Sequence, residues 1–336
     1  MAARLRVGFD VSPLALTRAG TARHIRSLLA ALPEENIDLR RYGFGGSSRA
    51  IVPARDLAWY LGVLPLLARR DRVDVLHCPT YRAPVRSSVP LVVTVHDLAV
   101  LRHPETFNRW SRSYSRALLP RVVRAARRLI AVSDFTRREL LQLLDVPEEK
   151  VRVIPNAVGA PFVTQGEAAG GDYVLAVGTL EPRKNLDRLV DGFRRAGLNG
   201  CRLLVAGMRG WGGVDVNGDN VQWLGSVPDE ELARLYRGAR CVAYVSLYEG
   251  FGLPVLEAMA CGAPVVAGRN AAAEEVAGGA AVLVDPLDPE AIAAGLAEAI
   301  DRREELRARG LERAQAFDWQ RVARATVEVY REAASS

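Results

Sequence analysis

The chain has 336 residues, about twice the usual length of a single domain, and 49% of them are apolar, which is enough to fill two separate cores. The net charge of +6 favours anionic partners, and sugar nucleotides or acidic lipid surfaces fit this as well as nucleic acid does. No apolar run reaches the length of a membrane span or of a secretory leader. We therefore expect a cytoplasmic protein, with peripheral association at the inner face of a membrane left open.

Strand-like and helix-like segments alternate along the first half of the chain. Short apolar runs predict strands at 5–9, 73–76, 91–95, 129–132 and 151–154. Helical periodicity between the runs, as at 21–32 and 136–144, predicts a parallel, doubly wound sheet.

The same alternation begins again after a glycine- and alanine-rich segment. The second set of predicted strands is 173–178, 201–207, 221–225, 241–246, 263–268 and 281–285. The predicted organisation is an N-terminal Rossmann-like domain at 1–160, a linker at 161–172, a C-terminal Rossmann-like domain at 173–318, and a final helix at 319–336 that packs back across the first domain. Because open sheets bind ligands beyond the carboxyl ends of their strands, we expect the two domains to face an interdomain cleft.

The stretch "SLYEGFGLPVLEAMACGAPVV" combines a turn rich in glycine with two acids. Pro254 stands where a first helical residue would be, so a helix is predicted to begin there. The amides of Gly252 and Leu253 then form a cradle for a phosphate. Glu249 and Glu257 flank this cradle, and carboxylates accept hydrogen bonds from paired hydroxyls, so the pattern is typical of a site for a nucleotide sugar.

A second anion signal lies in "GTLEPRKN". Arg183 and Lys184 precede Asn185, a candidate N-cap, and two cations of different shape can grip a diphosphate together. Lys184 is one of only two lysines in the chain, the other being Lys150. The plainer alternative is an ordinary basic turn, with Glu249 as a helix cap and Glu257 solvated.

These motifs resemble the retaining glycosyltransferases of family 4, which have the GT-B fold, and within them the mannosyltransferase B-type subgroup. The resemblance extends over nearly the whole chain, through "GTARHI" at 20–25, "VTVHDL" at 93–98, "AVSDFTRREL" at 131–140, "VIPNAV" at 153–158 and "VDPLDPEAI" at 284–292. It implies an enzyme that moves a hexose from a nucleotide-diphosphate sugar to a hydroxyl acceptor.

The resemblance also implies roles for individual residues in binding the donor. Glu257 matches the ribose-binding acid, Glu249 the acid at the transferred sugar, and Phe251 a residue beside that sugar. The implied diphosphate contacts are Arg183, Lys184, Gly252 and Leu253, together with Gly20 and Thr21 from an N-terminal glycine loop.

His96 matches a family histidine that hydrogen-bonds the donor sugar, and Asp97 beside it is expected to orient the imidazole or to contact the acceptor. The implied mechanism is front-face transfer with retention. No Asp-x-Asp occurs in the chain, and no other cofactor pattern is present, so we expect neither a metal nor a cofactor. Ala157, Glu274 and His24 depart from the family pattern.

The segment 102–128 carries eight arginines, with Trp110, Tyr114 and Leu118 spaced four apart. Such a helix could lie on an anionic membrane, or its aromatic face could pack on its own domain. Both interpretations stay open from the sequence.

The donor predicted by the subgroup is GDP-mannose, with a glycan, a lipid-linked molecule or a small molecule as acceptor and no role for nucleic acid. The alternatives are a UDP-sugar-dependent transferase, an epimerase or phosphorylase of the same fold, and a non-catalytic sugar-nucleotide-binding protein. A dehydrogenase is disfavoured because no Gly-x-Gly-x-x-Gly follows a first strand.

Overall fold

The computed structural model describes residues 4–15, 20–44, 56–107, 109–213, 216 and 218–335. Close contacts group the chain into two compact units: unit 1 is Met1–Asn156 with Trp319–Ser336, and unit 2 is Ala157–Asp318. The final helix therefore belongs to unit 1, although it follows unit 2 in the chain.

The described part of unit 1 contains a parallel sheet of six strands. They are β1 Leu5–Asp10, β2 Ile37–Tyr42, β3 Val75–Cys78, β4 Leu91–Val95, β5 Arg128–Ala131 and β6 Val151–Val153, in the spatial order β2-β1-β3-β4-β5-β6. The α-helices of this unit are Gly20–Ala31, Leu64–Arg70, Ala99–Arg102, Arg109–Ala125, Asp134–Leu144 and Trp319–Ser335. A π-helical turn, Trp59–Val63, leads into the helix Leu64–Arg70.

Unit 2 repeats this architecture. Its strands are β7 Tyr173–Val177, β8 Arg202–Ala206, β9 Val221–Gly225, β10 Cys241–Tyr244, β11 Val265–Gly268 and β12 Val282–Val284, in the spatial order β12-β11-β10-β7-β8-β9. Its α-helices are Leu186–Arg195, Asp229–Gly238, Leu253–Ala260, Ala271–Ala277, Pro289–Asp301 and Arg303–Ala314. All described strand pairs in both sheets are parallel, so the predicted doubly wound fold class is confirmed.

The central strands of both sheets are hydrophobic and buried over their whole length. Leu91–Val95 is buried at every position, as is Cys241–Tyr244. Strands covered by helices on both faces have this continuous pattern rather than an alternating one. Cys78, Cys201, Cys241 and Cys261 lie in these interiors as free thiols.

One strand was not predicted from the sequence. Strand β2 reads IDLRRY, and three of its six residues are charged. It forms the edge of its sheet, where one side of the strand faces solvent, and only Ile37 and Tyr42 are buried. Charged residues are favoured on such edges, so an apolar run is not the signal to expect there.

The C-terminal helix Trp319–Ser335 is held to unit 1 by an apolar face and by polar contacts. Val322, Val327 and Tyr330 are buried. The Tyr330 hydroxyl lies 2.6 Å from Nδ1 of His77, and Glu332 forms ion pairs with Arg128 and Arg152 of the same unit.

The arginine-rich helix Arg109–Ala125 directs its aromatic side chains at its own unit. Tyr114 is buried, and Nε1 of Trp110 donates to Asp56 at 3.3 Å. The arginines on its outer side are exposed. Within the described residues, no helix combines the length and the apolar character needed to cross a membrane.

Candidate functional site

The polar residues of unit 2 gather where the order of its strands reverses. Strand β7 pairs with β8 on one side and with β10 on the other, so successive strands are added outward in opposite directions from the β7–β10 pair. At such a switch point the loops that follow the two strands diverge and leave a crevice at their carboxyl ends. Pro182–Lys184, a 3₁₀ turn, follows β7, and Glu249 follows β10.

Three predicted site residues meet at this point. Nζ of Lys184 lies 2.5 Å from Oε1 of Glu249, and Nη1 of Arg183 lies 3.2 Å from the same oxygen. Lys184 also donates to the hydroxyl of Tyr244 at 3.3 Å. The cations and the acid are therefore direct partners here, whereas the sequence had assigned them to different parts of a ligand.

The charge of Glu249 is fixed by these neighbours. Burial alone would raise the pKa of its carboxyl, but Lys184 and Arg183 outweigh burial and lower the pKa to about 2. A nearby Ser246 hydroxyl acts in the same direction. Glu249 is thus a stable carboxylate at neutral pH, and its negative charge is compensated by two cations.

Sequence reasoning missed three neighbours of this cluster. Glu181 is buried and lies 2.7 Å from Nη2 of Arg183. Tyr244 and Ser246 come from the end of β10 and the residues just after it, and they surround Lys184 and Glu249. Two features of the sequence could have identified them. Glu181 is an acid two places before Arg183, and Tyr244 and Ser246 are polar residues at the end of an otherwise apolar strand.

Asn185 stands at the predicted N-cap position but does not cap the helix Leu186–Arg195 with its side chain. Its backbone is left-handed (φ 59°), and its amide nitrogen donates instead to the carbonyl of Val245 at 3.1 Å and to that of Pro286 at 2.5 Å. The prediction of a side-chain cap is wrong. The amide ties the Arg183–Lys184 turn to the segment after β10 and so holds the cationic turn beside Glu249.

The predicted helix start after the glycine turn is confirmed as a structural element. Leu253–Ala260 is helical with Gly252 as its N-cap and Pro254 in the first turn. Gly252 has a φ of 106°, a conformation that favours glycine. The first amides of a helix have no acceptor within it, so those of Gly252 and Leu253 are suited to bind an anion. Phe251 is buried with its ring 5.9 Å from that of Phe317.

Glu257 lies in the same helix but apart from the cationic cluster. Its side chain is buried, and Oε2 accepts a hydrogen bond of 3.0 Å from the hydroxyl of Tyr236. The alternative of a solvated Glu257 is therefore wrong. A buried carboxylate held by a tyrosine has one defined orientation, which suits it to recognise a hydroxyl pair.

The remaining predicted residues belong to unit 1. His96 directly follows β4, and its Nε2 lies 3.0 Å from the carbonyl oxygen of Pro79. Oδ1 of Asp97, the next residue, accepts from the amide of Ala99 at 2.9 Å. The imidazole is thus oriented by a backbone carbonyl. Gly20 and Thr21 are the first residues of the helix Gly20–Ala31.

Residues 16–19, which precede Gly20, lie outside the described part of the chain. Among the described residues, no group of three or more His, Cys, Asp or Glu side chains is arranged to hold a metal ion. The cluster at the switch point of unit 2 contains two cationic side chains of a kind that binds phosphate groups, and the helix start beside it offers backbone amides for the same purpose.

In a comparison with known proteins, each unit matches a family model. The family model described as "Glycosyltransferase Family 4" matches residues 18–160, and the one described as "Glycosyl transferases group 1" matches residues 162–317. The O-antigen chain mannosyltransferase B of Escherichia coli is 33% identical, over 79% of this chain and 76% of its own. A D-inositol 3-phosphate glycosyltransferase of Kineococcus radiotolerans is also 33% identical, over 74% of this chain and 67% of its own.

Solved structures share the architecture at low sequence identity. Sucrose-phosphate synthase from Thermosynechococcus elongatus superposes with a TM-score of 0.80 at 19% identity, covering 98% of this chain and 99% of that one. The HepE protein of Anabaena, solved in complex with UDP-glucose, gives a TM-score of 0.73 at 18% identity, covering 97% and 99%.

Together with the two doubly wound sheets, these matches define the class of protein: the chain is a glycosyltransferase of the GT-B type. More narrowly, it belongs to glycosyltransferase family 4, as the sequence motifs predicted.

Proposed function

We propose that the protein transfers a hexose, with retention of configuration, from a nucleotide-diphosphate sugar to a hydroxyl group of an acceptor. The observation that carries the proposal is the meeting of Arg183, Lys184 and Glu249 beside the helix start at Gly252. Two cations and a row of free amides fit a diphosphate, and an adjacent carboxylate fits the hydroxyls of the sugar attached to it.

In the proposed reaction, the bond between C1 of the sugar and the phosphate oxygen breaks as a bond from C1 to the acceptor oxygen forms on the same face. The acceptor hydroxyl gives its proton to the departing phosphate oxygen. Negative charge grows on the diphosphate in this step, and Arg183, Lys184 and the amides at Gly252 and Leu253 would stabilise it. A metal ion is not needed for this arrangement.

Glu249 is not proposed as a covalent nucleophile. Lys184 and Arg183 are paired with its carboxylate and lower its pKa to about 2, so it is a weak base with its charge compensated. Its proposed task is to accept hydrogen bonds from the transferred sugar, while Glu257 accepts them from the ribose. Phe251, Gly20 and Thr21 are proposed to line the donor, His96 to hydrogen-bond the sugar, and Asp97 to act on the acceptor side.

We propose GDP-mannose as the donor. Support comes from the mannosyltransferase relatives, among them the Escherichia coli enzyme at 33% identity. A UDP-sugar is the alternative, as is a non-catalytic sugar-nucleotide-binding role. The proposed acceptor is a glycan, a lipid-linked molecule or a small molecule.

The test is release of the nucleoside diphosphate from a panel of GDP- and UDP-sugars, with and without acceptors, in buffer containing EDTA and in buffer containing magnesium. The proposal expects turnover with GDP-mannose, undiminished by EDTA, and an NMR coupling at C1 of the product that reports the donor's configuration. Turnover with UDP-sugars alone would establish the other donor class. Absence of both turnover and donor binding would contradict transfer.

Contact with an anionic membrane through 102–128 is a separate proposal. It is supported by the exposed arginines on the outer side of the helix Arg109–Ala125. Sedimentation with vesicles of anionic phospholipid, at low and high salt, tests it. Binding that disappears when Arg112 and Arg116 are changed to glutamine is the expected result, and no binding at low salt contradicts it.

A further inference from the structure

Three histidines from different elements of unit 1 lie close together. His24 comes from the helix Gly20–Ala31, His77 from strand β3, and His96 from the end of strand β4. The rings of His24 and His96 are 4.9 Å apart and nearly perpendicular, at 84°. His24 also contacts the ring of Trp319 at 5.6 Å.

The hydrogen bond of His96 identifies its tautomer. The carbonyl oxygen of Pro79 is only an acceptor, so Nε2 of His96, 3.0 Å away, must carry the proton. In the neutral ring, Nδ1 is then an acceptor with a lone pair. An acceptor at this position can receive a hydrogen bond from a hydroxyl group, whereas an imidazolium cannot.

His24 differs from the other two histidines in its polar contacts. His77 has a partner on each nitrogen, the hydroxyls of Tyr330 and Thr94. His24 is 4% exposed, and within the described residues neither ring nitrogen makes a well-aligned hydrogen bond, although the side chain of Asn156 interacts with the ring and raises its pKa. Burial, together with the charges of His96 and His77, outweighs Asn156 and lowers the pKa of His24 well below 6.5, so His24 is neutral and acts on its neighbours through its ring.

We propose that His24 is a positioning residue, whose ring fixes the plane of the His96 imidazole, so that Nδ1 of His96 accepts a hydroxyl of the donor sugar. This inference rests on the proposed function for its consequence in catalysis. The positioning itself is a property of the protein without ligand.

The charges around His96 are consistent with this role. The titratable groups that face it from the described elements are His24, His77 and Asp97. Burial lowers the pKa of His96, against the opposing effects of the Pro79 carbonyl and the Asp97 carboxylate. The ring of His24 contributes to that burial. An uncharged His96 also avoids repelling the positive charge that develops on the sugar as the bond to phosphate breaks.

The experiment is an NMR titration of protein carrying ¹⁵N-labelled histidine, with His96 assigned by comparison with His96→Asn. In the native protein, His96 should show a protonated Nε2 and an unprotonated Nδ1, and it should stay neutral below the ordinary histidine value of about 6.5. His24→Phe keeps a ring at this place and should leave the titration unchanged. His24→Ala should let water reach His96 and so raise the pH at which His96 titrates by about one unit.

The kinetic readout is the pH profile of kcat/KM with the donor that proves active. With His24→Ala the acid limb should move up by about one pH unit, so that on the acid side of the limb kcat/KM falls by up to about ten-fold more than at pH 8. A purely structural role would lower activity equally at all pH values. His24→Phe should follow the native profile.

A native His96 with a protonated Nδ1, or one that titrates near 6.5, overturns the proposal without any variant. An unchanged His96 titration in folded His24→Ala also overturns it. Because these NMR results need no substrate, a failure of the proposed glycosyl transfer would be seen separately, as an absence of turnover in the donor panel.

Discussion

The two units have the same architecture but place opposite chemistry at the ends of their strands. In unit 2, Lys184 and Arg183 surround Glu249, and every member of this cluster is charged. In unit 1, the corresponding region holds histidines whose hydrogen-bond partners are hydroxyls and a carbonyl and whose rings contact aromatic rings, with the Asp97 carboxylate beside His96. A doubly wound sheet therefore determines where polar residues gather, and the residue types after each strand determine whether charge or neutral hydrogen bonds dominate there.

The difference between the two units should appear first in how their stability changes as the pH falls. Burial lowers the pKa of His77 in unit 1 to about 3, from an ordinary value of 6.5. The unfolded chain binds the proton more readily than the folded one between these values, so stability is full above about pH 6.5 and is lost as the pH falls toward 3. This shift corresponds to about 5 kcal/mol in the free energy of unfolding.

Native-state hydrogen exchange can follow each unit by itself. Amides of β3 and β4 should begin to lose protection below about pH 6.5, while those of β7 and β10 remain protected. His77→Gln, which is not ionisable in this range, should weaken the pH dependence in unit 1. Equal loss of protection in both units near pH 6 would contradict the prediction that unit 1 is the more sensitive to acid.

Lys184→Ala should have the largest effect on activity. The change removes one of two cations proposed to stabilise the leaving diphosphate, and it leaves Glu249 with Arg183 alone. We expect kcat/KM to fall about 100- to 1,000-fold. Steady-state kinetics measures this, with circular dichroism to check the fold.

Lys150→Ala is the matched control. Lys150 is the other lysine of the chain, and it donates to the carbonyl of Arg124 in unit 1. Its loss should leave kcat/KM unchanged. If the two variants behaved alike, the cationic cluster would have no special role.

Unit 2 should respond to acid at lower pH than unit 1 because its sensitive group is a carboxylate. The pKa of Glu249 is about 2 in the folded protein, against an ordinary 4.5. The lowered pKa of Glu249 contributes about 3 kcal/mol to the free energy of unfolding. This contribution is present above pH 4.5 and is lost as the pH falls toward 2. Glu249→Gln should remove the pH dependence of hydrogen exchange of the β10 amides between pH 4.5 and 2. Glu305→Gln, which changes an exposed ion pair, should leave that pH dependence in place.

The sequence predicted more of unit 2 than of unit 1 for physical reasons. Apolar runs located the buried strands, and the glycine turn located the helix start at Gly252, because both depend on local sequence. The ion pair of Glu249 with Lys184 joins residues 65 positions apart. It depends on the pairing of β7 with β10, which one sequence does not reveal.

The histidine cluster of unit 1 was harder to predict. His24 and His96 are single residues in apolar surroundings, without the charge or glycine pattern that marks an anion site. Their contact depends on how the helix Gly20–Ala31 packs on the sheet. The aromatic spacing in 102–128 could not distinguish an inward face from an outward one, and the edge strand β2 had no apolar run.

Tyr236→Phe should weaken the position of Glu257 while leaving its carboxyl group in place. The hydroxyl of Tyr236 donates to the buried carboxyl oxygen at 3.0 Å, and leaving a buried acceptor without its donor costs about 1–3 kcal/mol. We expect lower stability and, if Glu257 binds the ribose, a raised KM for the donor with little change in kcat.

Tyr173→Phe provides the comparison within the same unit. The Tyr173 hydroxyl donates to the uncharged carbonyl of Leu235 at 2.9 Å. Its loss should cost about 1 kcal/mol and leave the KM for the donor unchanged. An equal rise in KM in both variants would show that general loosening of unit 2, rather than the orientation of Glu257, is responsible.

Gly252→Ala is expected to have the smallest effect on activity. It is also the most direct test of whether the helix start binds an anion. A Cβ at this position would meet its nearest neighbour at 3.8 Å, so the cost comes from the left-handed backbone (φ 106°) and not from crowding. We expect a loss of about 1–2 kcal/mol in the free energy of unfolding, with a weaker affinity for nucleoside diphosphate because the amides shift. Gly200 is the matched control, since its φ is 75° and a Cβ there would meet nothing within 4 Å. Gly200→Ala should lose similar stability in chemical denaturation but keep the same nucleotide affinity by calorimetry. Equal affinities in both variants would remove the helix start from the site and leave anion binding in unit 2 to Arg183 and Lys184.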